Sequence, residues 1–541
     1  MDRRPPPENE ALREARLALL EELGHISRQI PGDRWVRGQW VRYLGEADRW
    51  KEAHDAARQC IGEAPGWCEA LQALTLHRLG LHTEAEEAFS VALHAMGAEE
   101  AEAWLDPSGL VDFDLLRELD RHDGEERGRF VERFWTLADP WYGTESNELL
   151  LEHLSRNVIA RIQEGARSPH GPMWGADLRE YIIRFGPEVS YARRHDPSIL
   201  GAGTLVSGYP EPDLRVLVPG PALFRDPGEN GEGFRVPASE FTTERAVGRG
   251  LHRVAPTLRV RDLPSRVTRF PRGDSTLVVL AWSYPVPAAD HDYWQGVDAD
   301  TLPPPWPVDA TPELWWRSLD PTSGAVGESR PARPMEEGEE IGPGDGERRA
   351  GWYVGMVPSG AGVLSLELRE PAHQRGWRFR QGIELPTPAE GEPILSDLLL
   401  LRPDPERHET GVSTLRDEGV RELAMRALSE NRIEGRSLEV AWQATGFGSR
   451  GAPLEVRAEL EPADRGWLRR AGERLRILSP GSSVRMGWTD QVDGPLEDPE
   501  SGLRVLGLEL DGLDAGVYRI RLTLVAGDGT ERSREIEVEL I

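Results

Sequence analysis

The chain changes its hydrophobic periodicity once, near residue 200, and that change restricts the fold more than any motif does. From about residue 10 to 165, Ala, Leu, Glu and Arg recur at helical spacing. After about 200 the pattern becomes short alternating apolar runs punctuated by Pro-Gly, Gly-Asp-Gly and Asp-Pro. Helices first and strands afterwards argue for separate α and β domains rather than a βαβ sheet. With 541 residues, three or four domains are expected. The division read from the sequence is a disordered N-terminus over 1–9, a helical region over 10–125 and a small α+β module over 126–200. An extended linker follows over 201–254, then antiparallel β-sandwiches over 255–395 and 396–541.

Composition narrows the function classes. Acids outnumber bases 93 to 64, a formal charge of −29, so phosphate backbones and anionic lipid are repelled and nucleic acid is not an expected partner. Mean hydropathy is −0.50, and no stretch approaches the roughly 18 apolar residues of a membrane span. The opening MDRRPPPENEALREARLALLEEL has charges through its apolar positions and is not a signal peptide. It implies a cytosolic chain, or one that begins after a processed or misassigned start.

Two segments, YLGEADRWKEAHDAA (43–57) and RLGLHTEAEEAFSVA (78–92), align at a 35-residue offset, with Leu44-Gly45 on Leu79-Gly80 and Ala53 on Ala88. Period, turn glycine and crossing alanine resemble the tetratricopeptide repeat. Two such units rarely bury enough surface alone, so packing against flanking helices at about 10–30 and 110–137 is expected. Both cysteines lie here, in CIGEAPGWC (60–68), without the third and fourth ligands a metal needs. A Cys60–Cys68 disulfide and two buried thiols are the alternatives. The disulfide is preferred, and with it an oxidising, extracytoplasmic setting; a cytoplasmic location is the alternative.

Around FWTLADPWYGTESNELLLEHLSRNVIARIQ (134–163), Asp139-Pro140 breaks one helix, and Thr144 is expected to N-cap the next. Downstream, MWGADLREYIIRFGP (173–187) places Trp174 and Asp177 before an expected strand, LREYIIRF, closed by Phe185, Gly186 and Pro187. This combination resembles the bacterial GWxTD domain, together with the preceding Asp139, Pro140, Gly143, Thr144, Asn147 and Glu148. Met173 and Ala176 replace that motif's Gly and Thr, and Tyr181 is displaced by one position. The resemblance covers about residues 130–190 and brings no defined biochemical activity. The residues by themselves read as structural: an indole anchor, a carboxylate capping loop amides, and a sharp Gly-Pro exit.

Three strings imitate chemistry. GWTD (487–490) lacks the motif's intervening residue. GFGSRG (446–451) fits a dinucleotide fingerprint but lies between strand-like runs, so it is expected to be a hairpin loop rather than the helix start that pyrophosphate needs. The acidic loop 490–502 misses EF-hand spacing. His77 and His82 are five apart, off a common helical face. No catalytic, metal or cofactor site is assigned.

The β half alternates cleanly. Tyr518, Ile520, Leu522 and Leu524 face one way and Arg519 and Arg521 the other, and Ile536, Val538 and Leu540 alternate with Glu535, Glu537 and Glu539 across a Gly-Asp-Gly turn. Further runs suggest sandwiches of immunoglobulin-like type. Tyr293, Trp294, Trp306, Trp315 and Trp316 read as an aromatic loop, either tucked onto the first sandwich or kept for a partner. The expectation is a non-enzymatic cell-envelope protein that binds or scaffolds protein or glycan. The alternatives are a glycan-processing enzyme with convergent carboxylates and a cytosolic assembly adaptor.

Overall fold

The protein is seen in a computed structural model that describes residues 9–61, 65–164, 166, 175–188, 190–195, 204–209, 214–224, 235–243, 252–253, 258–285, 311–320, 325–341, 348–370, 375–385, 392–404, 411–414, 420–448, 452–463, 484–491 and 503–541. Among the described residues ten α-helices come first: α1 (Glu10–Gln29), α2 (Arg34–Glu46), α3 (Trp50–Arg58), α4 (Trp67–Arg78), α5 (His82–Ala95), α6 (Ala98–Leu105), α7 (Phe113–Leu119), α8 (Gly124–Ala138), α9 (Glu148–Gln163) and α10 (Ala176–Phe185). Side chains at their starts accept otherwise unpaired amides: Asn9 takes Ala11 N, Asp33 takes Val36 N and Asp112 takes Leu115 N.

Helices α1 to α5 pack each on the next. The aligned Leu-Gly pairs fall at the turns of two helix hairpins, α2–α3 and α4–α5. At Gly45 a Cβ would stand 2.4 Å from the Trp50 ring, and Gly80 takes φ +79. Ala53, Ala56 and Ala57 are buried where α3 packs between its neighbours. The hairpins do not close their own core. Leu151, Leu154, Val158 and Ile162 of α9 complete it, packed with Val41, Leu71, Leu74 and Phe89. Helix α9 is thereby buried nearly all round.

The second half is built of sheets. One pair shares a core of Leu280, Trp282, Trp316, Leu364, Leu366 and Phe379. Its first sheet orders the strands Arg333–Ile341, Arg348–Pro358, Ser275–Pro285 and Ser265–Arg272. Its second orders Arg259–Asp262, Arg375–Leu385, Gly360–Glu370, Pro312–Leu319 and Val326–Pro331, with the first two strands parallel. A second pair of sheets closes over Val440, Trp442, Val456, Leu522 and Leu524. In its hairpin, strands Gly516–Ala526 and Glu531–Leu540, Arg519 meets Glu537 at 2.8 Å and Arg521 meets Glu535 at 2.5 Å. Helix α11 (Val420–Arg426) lies between the two sandwiches, with Leu423 and Ala424 buried against Val279, Leu401 and Val505.

Several expectations need correction. LREYIIRF is helix α10: Ile182 and Ile183, adjacent on one helical side, are buried, and the segment packs chiefly on α9, with a lesser contact to the short strand His252–Arg253. The cap of α9 is Asn147, which accepts from Leu150 N at 3.0 Å, while the Thr144 hydroxyl is directed at the carbonyls of Trp141 and Ser146. GFGSRG joins strands of opposite sheets, so it is an inter-sheet arch and not a hairpin loop. The stretch expected as an extended linker contributes Val216, Leu217, Val218, Leu223, Phe224 and Phe241 to a core shared with α8. Ile394–Leu395, placed before the 396 boundary, already pairs with the second sandwich. Residues 1–8 of the N-terminus and most of the acidic loop, 492–502, lie outside the described residues.

Candidate functional site

Between α8 and α9 runs Asp-Pro-Trp-Tyr-Gly-Thr, and it is driven into the first sandwich. Strand alternation explains how a polar cradle can form there. Ser365 and Glu367 stand two apart on Gly360–Glu370, Arg378 and Arg380 two apart on the neighbouring strand, and the register pairs Ser365 with Arg380 and Glu367 with Arg378. All four are buried. The guanidiniums take the carbonyls that the end of α8 leaves unpaired: Arg380 donates to Asp139 O at 2.6 Å and Pro140 O at 3.1 Å, and Arg378 to Pro140 O at 2.9 Å. Glu367 accepts Tyr142 N at 2.8 Å, Gly143 N at 3.2 Å and Ser365 Oγ at 2.7 Å, with Arg380 Nη2 at 3.4 Å.

The segment's own side chains complete the fit. The fully buried Tyr142 ring lies between two cations, with Arg380 Cζ 3.6 Å and Arg317 Cζ 4.2 Å from its centroid. Arg317 also approaches Asp139 Oδ2 at 3.4 Å, and Asp139 Oδ1 accepts Trp141 N at 3.1 Å. At Gly143 a Cβ would stand 2.8 Å from both Glu313 Oε2 and Trp315 Nε1, so any larger residue requires these side chains to shift. Burial pushes the Asp139 carboxyl up to about 7 despite Arg380 and Arg317, and pushes Glu148 well above the usual carboxylate range, with Asp139 adding repulsion. Burial beside Arg380 lowers Arg378 to about 9.

A second polar cluster ties α10 to the helical stack. Glu152 of α9 accepts Arg156 Nε at 2.7 Å and Arg78 Nη2 at 3.3 Å, and pairs with His77 Nε2 at 3.0 Å. His77 Nδ1 lies 3.1 Å from His82 Nδ1. The two rings meet because they occupy different helices across the Gly80 turn, not one helical face. The Phe185-Gly186-Pro187 triplet ends α10 here: Gly186 takes φ +70, and Arg156 donates to the carbonyls of Ile183 at 3.0 Å and Arg184 at 3.1 Å.

The sequence-derived residues divide among several places. Asp139 and Pro140 are in the seam. Asp177 is exposed in the first turn of α10, two residues after the N-cap Gly175, which has no side-chain cap; there its charge complements the helix dipole. Cys60 and Cys68 are joined, with Cα atoms 5.4 Å apart. Trp315 and Trp316 are not on a loop; they belong to strand Pro312–Leu319. Trp316 is in the sandwich core and Trp315 packs against the seam. Trp174, Tyr293, Trp294 and Trp306 lie outside the described residues. Sequence reasoning missed Glu367, Arg317, Arg378 and Arg380. Charged residues on the buried faces of apolar strands were their available signal. Among the described residues no three His, Cys, Asp or Glu side chains gather as a metal would require, and no helix is long and apolar enough to cross a membrane.

No protein-family model and no curated protein matches the chain. Among solved structures it is similar to the C-terminal domain of the Streptococcus agalactiae AgI/II polypeptide BspA, at 6% identity over 51% of this chain and 98% of that one, with TM-score 0.13. It is similar also to a Bacteroides uniformis β-glucuronidase, at 8% identity over 48% of this chain and 26% of that one, with TM-score 0.13. At such TM-scores neither likeness bears on fold or function.

Proposed function

We propose that the chain is a non-enzymatic binding or scaffolding protein of the bacterial cell envelope, of GWxTD type, with a tetratricopeptide-like helical stack and immunoglobulin-like sandwiches. The observation that carries this reading is the seam. Its buried charges are packed between modules, and Glu367, Arg378 and Arg380 fix one module on another through main-chain groups, which suits a display frame. The Cys60–Cys68 bridge favours an oxidising compartment. Convergent carboxylates, which a glycan-processing enzyme needs, do occur as Asp139, Glu148 and Glu367. Yet Glu367 is 0% exposed and occupied by two backbone amides, Ser365 and Arg380, which favours the scaffold.

Binding is assigned to the aromatic stretch that includes Tyr293, Trp294 and Trp306, with a protein or glycan as partner. The test is to delete 286–310, which spares the strand bearing Trp315 and Trp316, and to measure thermal stability alongside partner recovery from envelope and cytosolic fractions. An unchanged melting temperature with loss of an envelope partner is expected. A stable protein that recovers every partner, or one that recovers only cytosolic partners, overturns the reading.

A further inference from the structure

The seam contains more carboxyl groups than its hydrogen bonds satisfy. Glu148, in the first turn of α9, is 1% exposed, and neither of its carboxyl oxygens has a hydrogen-bond partner. The Thr144 hydroxyl approaches, but its proton goes to Trp141 O at 2.8 Å or Ser146 O at 3.0 Å. Arg378 and Arg380 direct their donors to main-chain oxygens and to Glu367, and Arg317 lies over Tyr142. A bare carboxylate in such a place is far costlier than the neutral acid, so the acid form is retained.

We propose that the seam is a proton-operated latch: while the Asp139–Glu148 pair keeps its protons the helical region stays clamped to the first sandwich, and their loss to solvent loosens the clamp. The groups facing the pair set its direction. Arg317, Glu367 and Arg380, from three adjacent strands, act on the pair itself; Glu313, Arg369 and Arg378 stand on the same strands, with Asp262 acting on Arg378. Glu367 repels both members of the pair; Arg317 and Arg380 pull on Asp139. The approach of its own backbone N–H and of the Thr144 hydroxyl favours a charged Glu148, but burial outweighs both. A carboxyl that holds its proton more tightly when folded makes docking weaken as pH rises. For Asp139 the window runs from its ordinary value of 3.8 to about 7; for Glu148 it extends upward from the usual carboxylate range. The latch does not depend on what the chain binds.

Hydrogen–deuterium exchange on the full chain tests it, at pH values from about 6 to about 9 with the intrinsic rates removed. Protection over 137–150 and 365–380 should fall with pH, by up to about tenfold per unit for one proton, while 518–526 in the far sandwich stays constant. Glu148→Gln, neutral and nearly isosteric, should hold seam protection at alkaline pH, and Asp139→Asn should remove the lower part of the response. Infrared spectra of the unaltered protein at neutral pH provide a reading that needs no variant: a protonated-carboxyl band is expected. Seam protection independent of pH, a parallel fall over 518–526, a response unchanged in folded Glu148→Gln and Asp139→Asn, or no such band would each overturn the latch.

Discussion

Arg380 makes several of the interdomain joint's contacts at once. It holds the carbonyls of Asp139 and Pro140, contacts Glu367 and lies against the Tyr142 ring. Arg380→Ala should therefore destabilise the protein by about 3–5 kcal/mol, since it strips the partner from a buried charge. Glu367→Gln keeps the shape and should cost less, about 1–3 kcal/mol. Urea unfolding monitored by tryptophan emission checks both, and equal, negligible losses would mean that the cradle does not hold the modules together. Asp177 makes the contrasting case. Exposed and acting only through the helix dipole, it should lose no more than about 0.3–1 kcal/mol on conversion to Asn. The Asp-Pro string was legible as a helix stop because proline forbids continuation. Its receptor was not, because a sequence does not say which buried strand face admits arginine.

At the scale of elements, the long apolar periodicities were readable and the short ones were not. The hairpin bearing Tyr518 to Leu524 follows from period two alone. LREYIIRF offered β-rich residues but no way to see that Arg156 would cap its last carbonyls or that α9 would receive Ile182 and Ile183. Helix α9 itself was found from its leucines, yet its polar side, with Glu152, His153 and Arg156 buried, was not. That side gives the helical stack its own pH response. Burial lowers His153 to about 4, and burial with the neighbouring His77 lowers His82 to about 4. A histidine that resists protonation when folded contributes stability that is complete above its ordinary value of 6.5 and is lost as pH falls from there towards 4. Acid titration followed by helical circular dichroism should show this loss, and His153→Asn should shrink it; a flat profile between those values would contradict the assignment. Breaking the bridge with paired Cys60→Ser and Cys68→Ser should cost about 2–3 kcal/mol by freeing a short loop.

For the whole molecule, those two pH responses have opposite signs and different addresses. The stack tightens with rising pH while the seam slackens, so a global melting curve averages them and only a regional probe separates them. The α-then-β order was plain from the change of periodicity near residue 200. The seam core was not, because Val216–Val218 and Phe241 carry no period and belong to neither half by pattern. One detail of that joint reaches past this chain. The cradle grips Asp139 and Pro140 by their main-chain oxygens, which every amino acid possesses. The plug is thus recognised by its path more than by its lettering, apart from Asp139's carboxyl, Pro140's break, Tyr142's ring and the space left at Gly143. The socket has no such freedom, for its donors are side chains. A second protein with this joint would be easier to find by its Ser-x-Glu and Arg-x-Arg on adjacent antiparallel strands than by any spelling of the segment they hold.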